Sequence, residues 1–244
     1  MNQDIEQTSS TSNPHNSAPQ SSMVLRGYWR SSATWRVRIA LYYKEIDFHY
    51  IPVHLVRQGG EQHFPEYTQL NPLAQVPTLE VSGGVFLTQS LAIIDYLEQV
   101  TPTPSLYPDD PLLRARALQM AEVINSGIQP LQNLSLLQKL SRDYNVDKVK
   151  WAHQMISHGL YALEATLNAH LPLTHTQTSE NPQFLVGDTP SIADLCLIPQ
   201  LYNARRFGVD LSACPRLLSA ESACALLPAF QRARPEAQAD AHPN

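Results

Sequence analysis

Val24-Leu25-Arg26-Gly27-Tyr28-Trp29-Arg30-Ser31-Ser32-Ala33-Thr34-Trp35-Arg36-Val37-Arg38-Ile39-Ala40-Leu41 opens the stretch that decides the fold, which runs on to Phe48-His49-Tyr50-Ile51-Pro52-Val53. Val24 to Trp29 is a short β-prone run, and it ends in the polar turn Arg30-Ser31-Ser32. From Thr34 to about Glu45 the residues Val37, Ala40, Leu41 and Lys44 recur at three-to-four spacing, which is helical. Phe48 to Val53 reads as a second strand. Strand, helix and strand in about thirty residues make a βαβ unit, whose strands run parallel.

Working outward, a polar stretch with Gly59-Gly60 leads to a short helix from Glu61 to about Leu70. After Asn71-Pro72-Leu73-Ala74-Gln75, two short strands, Val76 to Val81 and Gly84 to Leu87, flank the turn Ser82-Gly83 as a hairpin. Ser90 then opens a helix with Leu91, Ile94 and Leu97 on one side. The order βαβ, α, ββα predicts a thioredoxin-like α/β domain over residues 23–104, closed by the linker Thr101-Pro102-Thr103-Pro104. Residues 105–234 read as an all-helical second domain. Asp110 and Pro111 suit a helix start, and one long helical pattern runs from about Leu112 to Leu140, kinked at Gly127 and Pro130. Another runs from Asp147 to His170, followed by a loop from Leu171 to Pro182. Ser191-Ile192-Ala193-Asp194 has the form of a capping box ahead of Leu195, Ile198, Leu201 and Tyr202. The fold class is therefore α/β plus all-α.

Composition narrows the function classes. The 244 residues are 43% hydrophobic and 16% charged, with net charge -5, so no basic footprint for nucleic acid is present. No apolar stretch is long enough to span a bilayer. Met1 to Ser22 lacks the apolar core of a secretory signal and reads as a disordered leader; the tail 235–244 reads as flexible. Cys196, Cys214 and Cys224 have no ligand-like spacing and read as reduced thiols of a cytoplasmic protein, with no metal site expected.

Three features carry chemistry. Ser31-Ser32 lies between a strand and a helix N-terminus, where a hydroxyl can donate to a thiolate and lower its pKa. Taken alone, the motif is more commonly plain helix capping by serine. Val76-Pro77 is a candidate cis bond that would offer the backbone of Val76 to an extended peptide; an ordinary edge-strand proline is the alternative. Gln89-Ser90 begins a helix whose amides can hold a carboxylate, or simply a cap. All three come from loops at one end of one domain. Together they suit a thiolate, a peptide backbone and a carboxylate, the three groups that glutathione combines.

Ser31-Ser32-Ala33-Thr34-Trp35-Arg36-Val37-Arg38-Ile39-Ala40-Leu41 resembles the SSCxWRVRIAL signature of zeta-class glutathione transferases, the maleylacetoacetate isomerase family. The resemblance continues through Gln75-Val76-Pro77-Thr78-Leu79, Gln89-Ser90-Leu91-Ala92-Ile93-Ile94 and Ile128-Gln129-Pro130-Leu131-Gln132-Asn133-Leu134-Ser135, and spans about Met23 to Phe230. It implies a thioredoxin-like domain followed by the all-helical glutathione-transferase C-terminal domain, with glutathione as cofactor. It places the thiolate-activating serines at Ser31 and Ser32, within a cofactor-binding turn that runs on through Ala33, Thr34, Trp35 and Arg36. Further glutathione contacts fall on Gln62, Val76, Gln89 and Ser90, with Gln129, Asn133, Leu134 and Ser135 closing from the helical domain. Arg30, Arg36 and Arg206 are implied contacts for a small dicarboxylate substrate.

Two departures stand out. Ala33 replaces the family's cysteine, so any role needing a thiol there is absent. Arg205 replaces a glutamate in Asn203-Ala204-Arg205-Arg206-Phe207 and reads as a solvated surface residue. The implied activity is cis–trans isomerisation of maleylacetoacetate, in tyrosine and phenylalanine catabolism, by reversible thiolate addition to the cis double bond. The alternatives are maleylpyruvate isomerisation or general glutathione transfer (conjugation, dehalogenation, peroxide reduction), and a non-catalytic binding module. The resemblance also implies a homodimer.

Overall fold

The computed structural model describes residues 23–170 and 183–241. The expected leader, the 171–182 loop and the last three residues of the tail lie outside the described residues. Four strands form one sheet in the order β2-β1-β3-β4. β1 (Met23–Gly27) pairs parallel with β2 (Phe48–Pro52) and antiparallel with β3 (Thr78–Val81), which pairs antiparallel with β4 (Val85–Thr88). The parallel pair follows from the intervening helix α1 (Ser32–Tyr43), since parallel strands need a crossover. The helix expected over 61–70 is shorter. It divides into a 3₁₀ turn, Glu61–His63, and α2 (Pro65–Thr68), because Pro65 has no N–H to continue the ladder.

α3 (Ser90–Val100) packs beside α1, and the linker beyond it is tied down. Buried Lys44 pairs with Glu98 at 2.7 Å and donates to the carbonyls of Thr101 and Pro104 at 2.6 and 2.9 Å. α1 is buried almost all round, from Thr34 to Leu41, because the first domain lies on one side of it and α7 (Ile192–Arg206) and α9 (Pro228–Arg232) lie on the other. Even Arg38 is wholly buried, donating to the carbonyls of Trp29 at 2.7 Å and Ala233 at 3.2 Å.

The long pattern expected from Leu112 to Leu140 divides into four pieces. α4 (Pro111–Glu122) runs into a π-helical turn, Val123–Ile128, then a 3₁₀ turn, Gln129–Gln132, and finally α5 (Leu134–Tyr144). Pro130 removes one donor, and the side chain of Asn133 restarts the helix by accepting from Ser135 N at 3.0 Å. α6 (Lys148–His170) crosses this broken region at Gly159. A Cβ there would sit 2.4 Å from Cγ1 of Ile128. Gly159→Ala should therefore cost about 1–3 kcal/mol by overpacking, despite alanine's better helix propensity. Urea unfolding of the variant checks it; equal or greater stability would show that Ile128 moves aside freely.

α8 (Pro215–Ala225) completes the helical layer. The tail expected to be flexible from residue 235 is folded through 241, where two 3₁₀ turns, Pro235–Ala237 and Ala239–Ala241, lie back on the first domain. Asp240 accepts from Trp29 N at 3.0 Å and from the Tyr50 hydroxyl at 3.2 Å, and Gln238 is buried. The segment is polar in composition, yet one Asp240 oxygen has partners some two hundred residues away, and Gln238 donates to the nearby carbonyls of Arg232 and Arg234 at 2.9 and 2.8 Å.

Candidate active site

β1 ends at Gly27, and a Cβ there would lie 2.2 Å from Cγ2 of Thr34. Its absence lets the first turn of α1 press against the strand end. The chain then turns, Ser31 N donating to Tyr28 O at 3.0 Å. Ser31 is the N-cap of α1, and its Oγ accepts from Thr34 N at 3.3 Å. Ser32 is the first helical residue, only 7% exposed, and its Oγ accepts from Nδ2 of Asn203 at 2.9 Å.

These serines face a cleft of about 290 Å³ between the sheet end of the first domain and the helical domain. From the first domain it is lined by Arg30, Ser31, Ser32, Ala33, Arg36, Gln62, Val76, Gln89 and Ser90; Gln129, Asn133, Leu134, Ser135 and Arg206 face them. Thus all but two of the positions expected from sequence converge on one space. The exceptions are Thr34 and Trp35. Both are buried: the first turn of α1 turns Thr34 back onto the end of β1 at Gly27, and turns Trp35 toward α7, where it packs edge-on against Tyr202, 5.5 Å between centroids.

The Val76-Pro77 bond is cis, and the carbonyl before it is held firmly. Gln75 O accepts from the Tyr67 hydroxyl at 2.6 Å and from Nδ2 of Asn71 at 2.7 Å. Gln89 has φ 68°, a left-handed value that a non-glycine residue rarely adopts and that concentrates at functional sites. Ser90 follows as the first residue of α3.

Arg36, expected among the substrate contacts, is placed deeper than that role suggests. It is 1% exposed, and its Nη1 donates to Ser90 Oγ at 3.2 Å and to Asn125 Oδ1 at 2.5 Å. Arg30 and Arg206 stand nearer the mouth. Burial, and then the like charge of Arg30, lower the pKa of Arg206. Among the described residues neither has a carboxylate within salt-bridge distance. Arg205 points elsewhere and pairs with Glu221 through both nitrogens, at 2.6 and 2.5 Å.

The described lining holds three arginines and no aspartate or glutamate, in a chain whose net charge is -5. It also holds no cysteine. Cys196, Cys214 and Cys224 are all buried, and burial pushes the first two thiols up to about 11 and raises the third well above the ordinary range. The site can therefore polarise a thiol that arrives with a ligand, but brings none of its own. Among the described residues no group of histidine, cysteine and carboxylate side chains could hold a metal ion, and no helix is long and apolar enough to cross a membrane.

Asn125 and Asn203 are the residues that sequence reasoning missed. Asn203 stands three positions before Arg206 on α7, a spacing that puts both on one helix face and could have flagged it. Asn125 sits in the π-helical turn, and no local pattern announces it.

A thioredoxin-like domain that aims a serine turn across such a cleft at an all-helical partner defines a glutathione transferase, the class in which the reactive thiol comes with the cofactor. Residues 25–105 match the glutathione S-transferase N-terminal domain family. Over 222 residues the chain is 43% identical to the maleylacetoacetate isomerase of Dictyostelium discoideum, covering 90% of this chain and 96% of that one. Among solved structures, the holo form of a bacterial zeta-class maleylpyruvate isomerase superposes with TM-score 0.81 at 38% identity, covering 89% and 99% of the two chains. A maleylacetoacetate isomerase of Anaeromyxobacter dehalogenans, solved with dicarboxyethyl glutathione and citrate in its active site, gives 0.77 at 40% identity, covering 91% and 94%. The chain belongs to the maleylacetoacetate isomerase family, the zeta class of glutathione transferases, and is a glutathione-dependent enzyme.

Proposed function

We propose that this chain isomerises maleylacetoacetate, or its close relative maleylpyruvate, from cis to trans with glutathione as cofactor. The observation that carries the reading is a cleft with three arginines, no carboxylate and two serine hydroxyls at a helix N-terminus. The residues present suit glutathione. Gln62 Oε1, Arg36 Nε and Arg36 Nη2 are buried polar atoms without partners, all on residues lining the cleft, and polar atoms of that kind are completed by a polar ligand.

When bound, glutathione supplies the thiolate that adds reversibly to the cis double bond and so permits rotation. The chain's part is to hold and orient. In this reading Ser31 and Ser32 donate to the thiolate, with the N-terminus of α1 behind them favouring negative charge. Val76 pairs with the peptide backbone, and the amides after Gln89 and Ser90 hold a carboxylate. Gln62, Gln129, Asn133, Leu134 and Ser135 close around the tripeptide. Arg36 holds Ser90 in place, and Arg30 and Arg206 take the carboxylates of the dianionic substrate. No side chain need act as general base, because the nucleophile is already ionised.

Turnover of maleylacetoacetate and of maleylpyruvate, each with and without glutathione, tests the reading and ranks the substrates. Isomerisation of neither, in protein shown to bind glutathione, would overturn it. We further read the enzyme as a cytoplasmic homodimer serving tyrosine and phenylalanine catabolism, on the strength of the family. Light scattering at micromolar concentration should give about twice the 27.3 kDa chain mass. A monomer mass would count against the dimer.

A further inference from the structure

We infer that Asn203 is a positioning residue for the thiolate donor: its side-chain amide fixes the Ser32 hydroxyl so that the hydroxyl proton is directed to the cofactor's sulfur. The inference rests on the proposed role of Ser32 and deepens it.

A serine hydroxyl has one proton and two acceptor lone pairs. Nδ2 of Asn203 is only a donor, so the 2.9 Å contact uses a lone pair of Ser32 and leaves the proton to be given away. Donation into Oγ also polarises the O–H bond, which strengthens its own donation. The described contacts offer Ser32 Oγ no acceptor for that proton, and the cleft lies open beside it. Ser31 is held differently, by the backbone N–H of Thr34 within its own helix turn.

The source of the contact matters as well. Asn203 lies on α7 in the helical domain, 171 positions from Ser32, and one turn before Arg206. A single rigid helix thus carries the group that orients the thiolate donor and a cation for the substrate's carboxylate. Sulfur and double bond are held relative to one another by α7, and not by the serine turn alone. Asn203 is partly exposed, so its replacement leaves no large void.

Two substitutions separate this role from a structural one. Asn203→Ala removes the anchor and should raise the thiol pKa of bound glutathione by about one unit, the worth of an ordinary hydrogen bond. Asn203→Asp reverses the polarity: a carboxylate can only accept, so it takes the Ser32 proton and adds negative charge near the sulfur. It should raise the pKa by more than Ala does. The effects must also be coupled, so that Asn203→Ala in the Ser32→Ala background changes the thiol pKa little further.

The experiment is a thiolate absorbance titration of glutathione bound to full-length wild type, both single variants, Ser32→Ala and the double variant, with glutathione affinity measured alongside. Wild type that fails to bind glutathione or to lower its thiol pKa overturns the functional reading itself. If wild type and Ser32→Ala behave as read, but Asn203→Ala titrates like wild type, the positioning role is wrong. Additive shifts in the double variant overturn it equally, since they would show Asn203 acting independently of Ser32.

Discussion

Ser32→Ala is expected to lower glutathione-dependent turnover at neutral pH by roughly 10²–10³-fold, the loss typical of removing one preorganised donor, whereas Ser31→Ala costs less. Proximity to the start of α1 favours Ser32, and its surroundings favour it further. Its hydroxyl is almost buried and anchored from a second domain, so little reorganisation is needed when charge appears on sulfur. Ser31 is the helix N-cap. Its loss should appear mainly as about 1 kcal/mol of stability, with a smaller change in rate. Ala33 leaves no thiol in the turn to take over from either serine. Because the cofactor's thiolate is the nucleophile, the Ser32→Ala defect should shrink as pH rises and glutathione ionises unaided. A pH–rate profile for each variant decides the matter. A larger loss in Ser31→Ala, with Ser32→Ala close to wild type, would reverse the assignment.

Asp194→Ala should be the most damaging substitution for stability. This wholly buried carboxylate accepts from Leu185 N at 2.9 Å, from Ser191 N at 2.8 Å and from the Ser191 hydroxyl at 3.0 Å. It thereby joins the segment before α7 to the helix that carries Asn203 and Arg206. Alanine would leave two buried backbone donors without acceptors, at about 1–3 kcal/mol each, so a loss of roughly 2–6 kcal/mol is expected. In a chain of this length that is a fall in Tm of roughly 5–15 °C. The pH dependence has a definite sign. Burial, opposed by those hydrogen bonds, pushes the Asp194 carboxyl up to about 6. The folded chain therefore holds this proton more tightly than the unfolded one. The stability so contributed is full below about pH 4 and is lost as pH rises through about 6. Asp194→Asn cannot titrate and should flatten that part of the stability curve. Thermal melts between pH 4 and pH 7 test both points. A wild-type curve that rises steadily across that interval, and is unchanged in Asp194→Asn, would exclude the linkage.

The βαβ unit, the hairpin and the succession of helices were legible in the sequence, because each rests on local periodicity and on where Gly, Pro and Ser punctuate it. The serine turn, Val76-Pro77 and Gln89-Ser90 were legible as well, since strand ends and helix starts are set by neighbours in the chain. What those signals lack is direction. Thr34 and Trp35 stand beside Ser32 in sequence, yet helical rotation buries both, and Arg36 is drawn under Ser90 by Asn125 from another domain. The π-helical turn that presents Asn125 reads locally as ordinary helix. Asp240 sits in a segment whose composition suggests a loose end, until Trp29 and Tyr50 supply its partners. By itself, then, the sequence determined the order of the elements and most, not all, of the residues that meet at the cleft. Only the tertiary structure decided which of their polar atoms are already engaged and which remain free for a ligand, because a hydrogen bond between Ser32 and Asn203 depends on the packing of α1 against α7 and on nothing near either residue in the chain.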